Sequence, residues 1–306
     1  MNIFKKLIVT LLFTVSVAGC NPEPQNREPQ YGKTAQQQGK QNYMLAVHPL
    51  YNPQKLIQTY QPLVDHLSKQ SNSITFEIVE PSKDYSSFES KIRDRVPHFL
   101  LPNPWQTLEA MKFGYTVIAM AGRAEDFKGT FIVRRDSVIT KPSDLKGKAV
   151  SYPAATALAA CIMPQYFLHK QGINVTTQIE NRYVGSQESS IMNVYLGSVA
   201  AGVTWPIPWR SFQKDHPKEA AELKVMWETP HLINNSFMVR NDVPVEIREQ
   251  IRTHLLQLHT TPEGRSILAG METDRFYPAS NDDYEIVRSY VAQFERDVRI
   301  VDGGKK

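Results

Sequence analysis

The chain has 306 residues, 41% of them apolar and 22% charged, an ordinary globular composition long enough for two α/β lobes. Its formal charge is +4, two units of which come from Lys5 and Lys6, and no basic run follows, which excludes the electrostatic footprint of a nucleic-acid binder. In chain order, Lys5-Lys6, an apolar run from Leu7 to Val15 and Val17-Ala18-Gly19-Cys20 read as an export signal over residues 1–19. The apolar run is too short for a comfortable membrane span.

Small residues before an obligatory cysteine resemble the bacterial lipobox, which implies that Cys20 carries lipid and becomes the mature N-terminus. Residues 20–42 form the expected tether: positions 21–42 hold six Gln, three Pro and almost nothing apolar, so they cannot bury a core. Fully extended, such a tether reaches roughly 70 Å. With Cys20 modified, Cys161 has no disulfide partner and reads as a small buried hydrophobe.

Order is expected from Tyr43. Apolar runs and alternation predict strands over 43–47, 74–79, 99–101 and 115–121. Between them, Leu56, Tyr60, Leu63, Val64 and Leu67 recur at helical spacing, and helices follow over 85–93 and about 106–113. Strands alternating with helices predict a largely parallel sheet. A second unit of the same kind has strands over 131–134, 149–152, 179–184, 201–204 and 223–227. Its helices open near Thr156 and after Ser186, and Trp205-Pro206-Ile207-Pro208-Trp209-Arg210 reads as a loop.

The strand over 236–240 repeats the pattern of 131–134: both end in Val-Arg and precede a turn with Asp. Two such crossings around one compact unit predict a two-segment hinge. The expected lobes are 43–134 with 237–306, and 135–236, each a mostly parallel sheet flanked by helices. Helices over 246–258, 262–268 and 282–296 are expected to pack on the first lobe.

The order of parts resembles the substrate-binding proteins of ABC importers with the type II periplasmic binding protein fold, and within them the phosphate/phosphite/phosphonate group. The residues carrying the resemblance are Asn52-Pro53 with Pro62-Leu63-Val64-Asp65-His66-Leu67, then Gly129 to Ser137, Asp144-Leu145-Lys146-Gly147-Lys148-Ala149-Val150, Gly185 to Ser190, and Leu196 to Val203. Two positions depart from that group. The loop after the Asp-Leu-Lys-Gly-Lys strand is Pro153-Ala154-Ala155-Thr156 where the group has hydroxyl-rich sequence, and Gln187 stands where it commonly has histidine.

Ligands of such folds sit beyond the carboxyl ends of the strands. By that rule the first lobe offers Tyr51, Asn103 and Trp105, with His48 beside them. The second offers Tyr152, Thr156, Ser186, Gln187, Glu188, Trp205 and Arg210, with Ser151 and Thr204 near the same strand ends. Thr156 is expected to donate at a helix start, Arg210 to pair an anionic group, and the tryptophans to wall the pocket.

The expected protein is a lipid-anchored, monomeric solute-binding protein of the cell envelope. It closes on a small anionic or zwitterionic ligand and presents it to an ABC permease, and it needs no cofactor. The alternative is a sensory input domain that passes occupancy to a membrane signalling protein. Catalysis lacks a constellation: the eight histidines show no paired metal-ligand spacing, and no Gly-x-Ser-x-Gly elbow occurs.

Overall fold

The computed structural model describes residues 40–302 apart from Asn72, so the expected export signal, most of the expected tether and Cys20 lie outside the described residues. Strand β1 (Gln41–Val47) starts two residues ahead of the expected strand and is followed by α1 (Pro53–Lys69). The Asn52 side chain caps α1 by accepting from Lys55 N at 3.0 Å. The first lobe continues through β2 (Ile74–Ile78), α2 (Tyr85–Arg93), β3 (Phe99–Leu101), α3 (Pro104–Lys112) and β4 (Tyr115–Ala121).

The chain then enters the second lobe: β5 (Thr130–Arg134), β6 (Lys148–Tyr152), a wide turn over Leu158–Ile162 running into α4 (Met163–Lys170), β7 (Ile179–Tyr183) and α5 (Gln187–Tyr195). It goes on through β8 (Ala201–Thr204), α6 (Pro206–Asp215), α7 (Pro217–Ala221) and β9 (Leu223–Glu228). The return brings β10 (Ser236–Arg240), α8 (Val245–Gln257), α9 (Pro262–Gly270), β11 (Phe276–Tyr277) and α10 (Glu285–Asp297).

The strand orders are β11-β4-β10-β3-β1-β2 and β7-β6-β8-β5-β9. In the first sheet β1 runs parallel to β2 and β3, and in the second β6 runs parallel to β7 and β8. The strand that follows each crossing opposes both neighbours, β10 between β3 and β4, and β5 between β8 and β9; β4 likewise opposes β10 and β11. The place of β5 and β10 directly after a crossing gives the repeated Val-Arg-turn pattern its physical meaning.

The boundary expected after residue 134 lies too late. Thr130 and Phe131 register with Thr204 and Val203, so β5 belongs to the second sheet. The crossings are the segments 122–129 and 229–235.

Three further elements differ from expectation. The stretch expected as a loop at 205–210 forms the start of α6, because Pro206 and Pro208 sit in a first turn whose N–H groups need no intrahelical acceptor. The helix expected to open near Thr156 starts at Leu158, after Ala157. The C-terminal segment packs on both lobes rather than the first alone. Tyr166 O–H in α4 donates to Asp297 Oδ2 at 3.0 Å, and Arg299 reaches Gln165 Oε1 at 2.8 Å and Ala155 O at 2.9 Å. No helix among the described residues is long and apolar enough to cross a membrane.

Candidate functional site

The carboxyl ends of β1, β3, β6 and β8 converge where the two lobes meet, and the crossing segments pass the same place. They enclose a tight cavity of about 10 Å3, room for about one water molecule.

One wall is the start of the helix after β6. Its first bond runs from Ile162 N–H to Ala157 O, five residues apart at 3.1 Å, so the wide turn leaves four N–H groups, at residues 158–161, without an intrahelical acceptor. Ala157, Leu158, Ala159 and Ala160 line the cavity, and the N–H groups of the last three have no intrahelical acceptor.

Asn103 faces this wall from the first lobe. Its Oδ1 caps α3, accepting from Trp105 N at 2.9 Å and Gln106 N at 3.1 Å. That fixes the amide orientation and turns Nδ2 outward, where it is buried without a partner. A buried donor left unpaired costs about 1–3 kcal/mol, so an acceptor supplied by a ligand is strongly favoured there. Asn235, in the returning crossing segment, has its Oδ1 buried and unpartnered in the same cavity.

His48 is 1% exposed at the end of β1, and its Nδ1 lies 3.0 Å from Leu101 O. Burial pushes its pKa down to about 4, so the ring is neutral near neutral pH. Tyr85 packs edge-on to it and accepts from Gln187 Nε2 at 3.0 Å across the lobe boundary, while Gln187 Oε1 accepts from Thr204 Oγ1 at 2.9 Å. Burial holds the Tyr85 phenol far above its ordinary pKa, so it keeps its proton. Phe127 and Trp205, with ring centroids 5.5 Å apart, complete an apolar side. The lining contains no Lys, Arg, Asp or Glu. Neutral dipoles and a helix start can therefore hold an anion here, and no side-chain countercharge faces it.

Of the sequence-derived candidates, Asn103, Gln187 and Trp205 line this cavity, together with His48. The others lie elsewhere. Trp105 lies two residues after Asn103 but packs behind α3 in a groove with Glu89, Arg93 and Phe113. Tyr152 is fully buried against Tyr183, with centroids 6.0 Å apart. Thr156 precedes the helix start instead of opening it, and its hydroxyl donates to Glu89 Oε1 of the first lobe at 2.7 Å.

Arg210 is engaged by Glu272 of the first lobe at 3.2 Å, and Lys214 pairs with the same carboxylate. Glu188 pairs with His216 at 3.3 Å at the cleft rim. Ser186 caps α5 through Ser189 N at 3.0 Å, and Tyr51 lies under Lys55 at the cleft rim. Lys55 in turn pairs with Asp215 of the second lobe. Thr156, Arg210 and Lys55 thus hold lobe to lobe around the cavity. Sequence reasoning missed Tyr85, Phe127, Asn235 and the amides of 158–160. Asp84, an N-cap residue, was the available signal for Tyr85.

A profile of the family described as "ABC transporter, phosphonate, periplasmic substrate-binding protein" matches residues 45–284. A probable ABC transporter phosphite binding protein of Prochlorococcus marinus (strain MIT 9301), PhnD1, is 22% identical over 182 residues. That match takes in 55% of this chain and 61% of the relative, so it spans under two thirds of the relative's length.

Among solved structures, a binding protein component of an ABC phosphonate transporter from Pseudomonas aeruginosa superposes with a TM-score of 0.78 at 16% identity, covering 84% of this chain and 88% of its own. PhnD1 from P. marinus in complex with methylphosphonate gives 0.76 at 19% identity, with 85% and 99% covered. The alkanesulfonate-binding protein SsuA from Xanthomonas axonopodis pv. citri, bound to MOPS, gives 0.61 at 12% identity, with 86% and 95% covered. At these identities the superpositions establish the two-lobed fold.

Proposed function

The chain belongs to the family of periplasmic substrate-binding proteins of phosphonate ABC transporters, and from that premise we propose that it holds one small phosphorus oxyanion, a phosphonate, phosphite or phosphate, between its lobes and hands it to a membrane permease. The observation that carries this reading is the set of unpaired donors on both sides of one small cavity. Leu158, Ala159 and Ala160 bring unpaired amides to it from the second lobe, and Asn103 brings Nδ2 from the first. A tetrahedral anion satisfies both sets only when the lobes are together, so binding stabilises the closed arrangement by differential affinity.

The test is thermal unfolding and small-angle scattering of the purified protein with methylphosphonate, phosphite and phosphate. At least one should raise the melting temperature and reduce the radius of gyration. No shift with any of the three would sink the proposal, and a shift without compaction would sink the closure step alone.

The anchor proposed at Cys20 rests on Val17-Ala18-Gly19-Cys20. Cys20→Ala is expected to abolish incorporation of labelled palmitate and to leave ligand affinity unchanged. Continued labelling of the variant would refute the assignment.

A further inference from the structure

His48 sits at the centre of the first-lobe wall, and its hydrogen bond decides which ring nitrogen carries the proton. Leu101 O accepts from His48 N at 3.1 Å and lies 3.0 Å from His48 Nδ1. A carbonyl oxygen cannot donate, so Nδ1 bears the hydrogen and Nε2 is a bare acceptor. Nε2 has no hydrogen-bond partner among the described residues, and His48 lines the cavity. Burial is the largest influence on this ring, and no charged side chain contributes. The titratable group packed against it, Tyr85, stays protonated and neutral.

From this geometry we infer that the site demands a proton on its ligand: His48 Nε2 accepts from an acidic hydroxyl on the bound anion, so the ligand is the monoprotonated form of a phosphorus oxyanion, and a sulfonate of the same shape is refused. The inference rests on the anion-binding function proposed above and names the charge state that function takes. Three features of the cavity agree with it. Asn235 Oδ1 is a further acceptor on the cavity, buried without a partner, and an anion with no hydrogen of its own satisfies neither Oδ1 nor Nε2. Donors for the unprotonated oxygens are separate groups: the amides of 158–160 and Asn103 Nδ2. Finally, no cationic side chain lines the cavity, and the cost of burying charge rises with its square, which favours a monoanion over a dianion.

Two of the folds related to this chain belong to proteins that took methylphosphonate in one case and a sulfonate buffer in the other, so the overall architecture admits both chemistries. The difference between such ligands is one hydrogen. At near-neutral pH an alkylsulfonate has three oxygens and no proton, whereas a phosphonate holds one proton until its second ionisation, for phosphate esters at a pKa of about 6. A site built to pair a ligand hydroxyl discriminates strongly against an isostere lacking it, because its own buried acceptor then faces an oxygen lone pair.

The experiment is calorimetric titration of the purified protein with methylphosphonate and methanesulfonate at about pH 6, where much of the phosphonate keeps one proton, alongside the same titrations of His48→Asn. Asparagine reaches the Nδ1 position, so it retains the bond to Leu101 O and leaves the Nε2 position vacant. The wild-type protein should prefer methylphosphonate at least about tenfold, and the variant should narrow that ratio to within about threefold by losing phosphonate affinity.

Nitrogen-15 spectra of the wild-type imidazole supply a readout that does not depend on the variant folding. Nε2 should resonate as an unprotonated nitrogen in the free protein and shift on adding methylphosphonate. Equal wild-type affinities, or a proton found on Nε2 in the free protein, would overturn the assignment while leaving the anion site intact. Binding of neither compound would bring down the anion site, and this inference with it.

Discussion

Asn103→Asp should weaken methylphosphonate binding by at least about 100-fold while leaving the melting temperature of the ligand-free protein almost unchanged. The substitution is isosteric and separates the two jobs of the Asn103 side chain. Oδ1 caps α3 through the N–H groups of Trp105 and Gln106, and an aspartate carboxylate does this as well or better at a helix start. Nδ2, buried without a partner, is replaced by an oxygen with two lone pairs facing the bound anion.

The lost hydrogen bond to a charged group is worth about 1.5–3 kcal/mol. Repulsion between carboxylate and ligand adds to it in a cavity that has no lining cation to compensate. Alanine would be a poorer probe, because removing the cap costs about 1 kcal/mol of stability by itself. Isothermal titration and differential scanning calorimetry read the two quantities independently. Retained affinity would place the ligand elsewhere, and a collapse in melting temperature would mean that Nδ2 has a structural partner.

Asn103 also marks how far the sequence could be read. Residues at strand ends were legible, because a strand that stops at a helix cap has to present its last polar group near the cleft; His48, Asn103, Gln187 and Trp205 all follow that rule. The direction of a neighbouring side chain was not legible. Trp105, two residues on, turns behind α3 because each step of the first helical turn rotates the side chain by about 100°, and two steps carry it to the opposite face. Nor did the sequence place Tyr85 or Asn235, which reach the cavity from a helix start and a crossing segment rather than from a strand end.

The hydroxyl-poor stretch Pro153-Ala154-Ala155 looked like a loss of anion-binding capacity. The helix instead opens two residues later than Thr156, at Leu158, and its first N–H groups lack an intrahelical acceptor beside the cavity. In the lobes, the repeated Val-Arg pattern located both crossing strands. Their pairing partners, which move β5 into the second sheet, depend on long-range register that one strand's sequence does not contain.

A second large effect is expected without any ligand. Between about pH 6.5 and pH 4 the free protein should lose roughly 3 kcal/mol of stability through His48 alone. Its folded pKa is depressed to about 4 from the ordinary 6.5, with burial as the cause. In that window the unfolded chain takes up a proton that the folded chain refuses. The contribution is therefore fully present above pH 6.5, declines as the pH falls, and is gone below about 4.

Denaturant titrations at half-unit pH steps measure the slope, and the slope in His48→Asn, which has no such group, gives the baseline to subtract. Parallel wild-type and variant profiles would mean that His48 is not the neutral, buried ring from which its acceptor role follows. The acid limb also bears on recognition. Once protonated, Nε2 becomes a donor, and the hydrogen it had required from the ligand turns from a match into a clash. Preference for methylphosphonate over methanesulfonate should therefore shrink toward pH 4, in step with the stability that His48 withdraws.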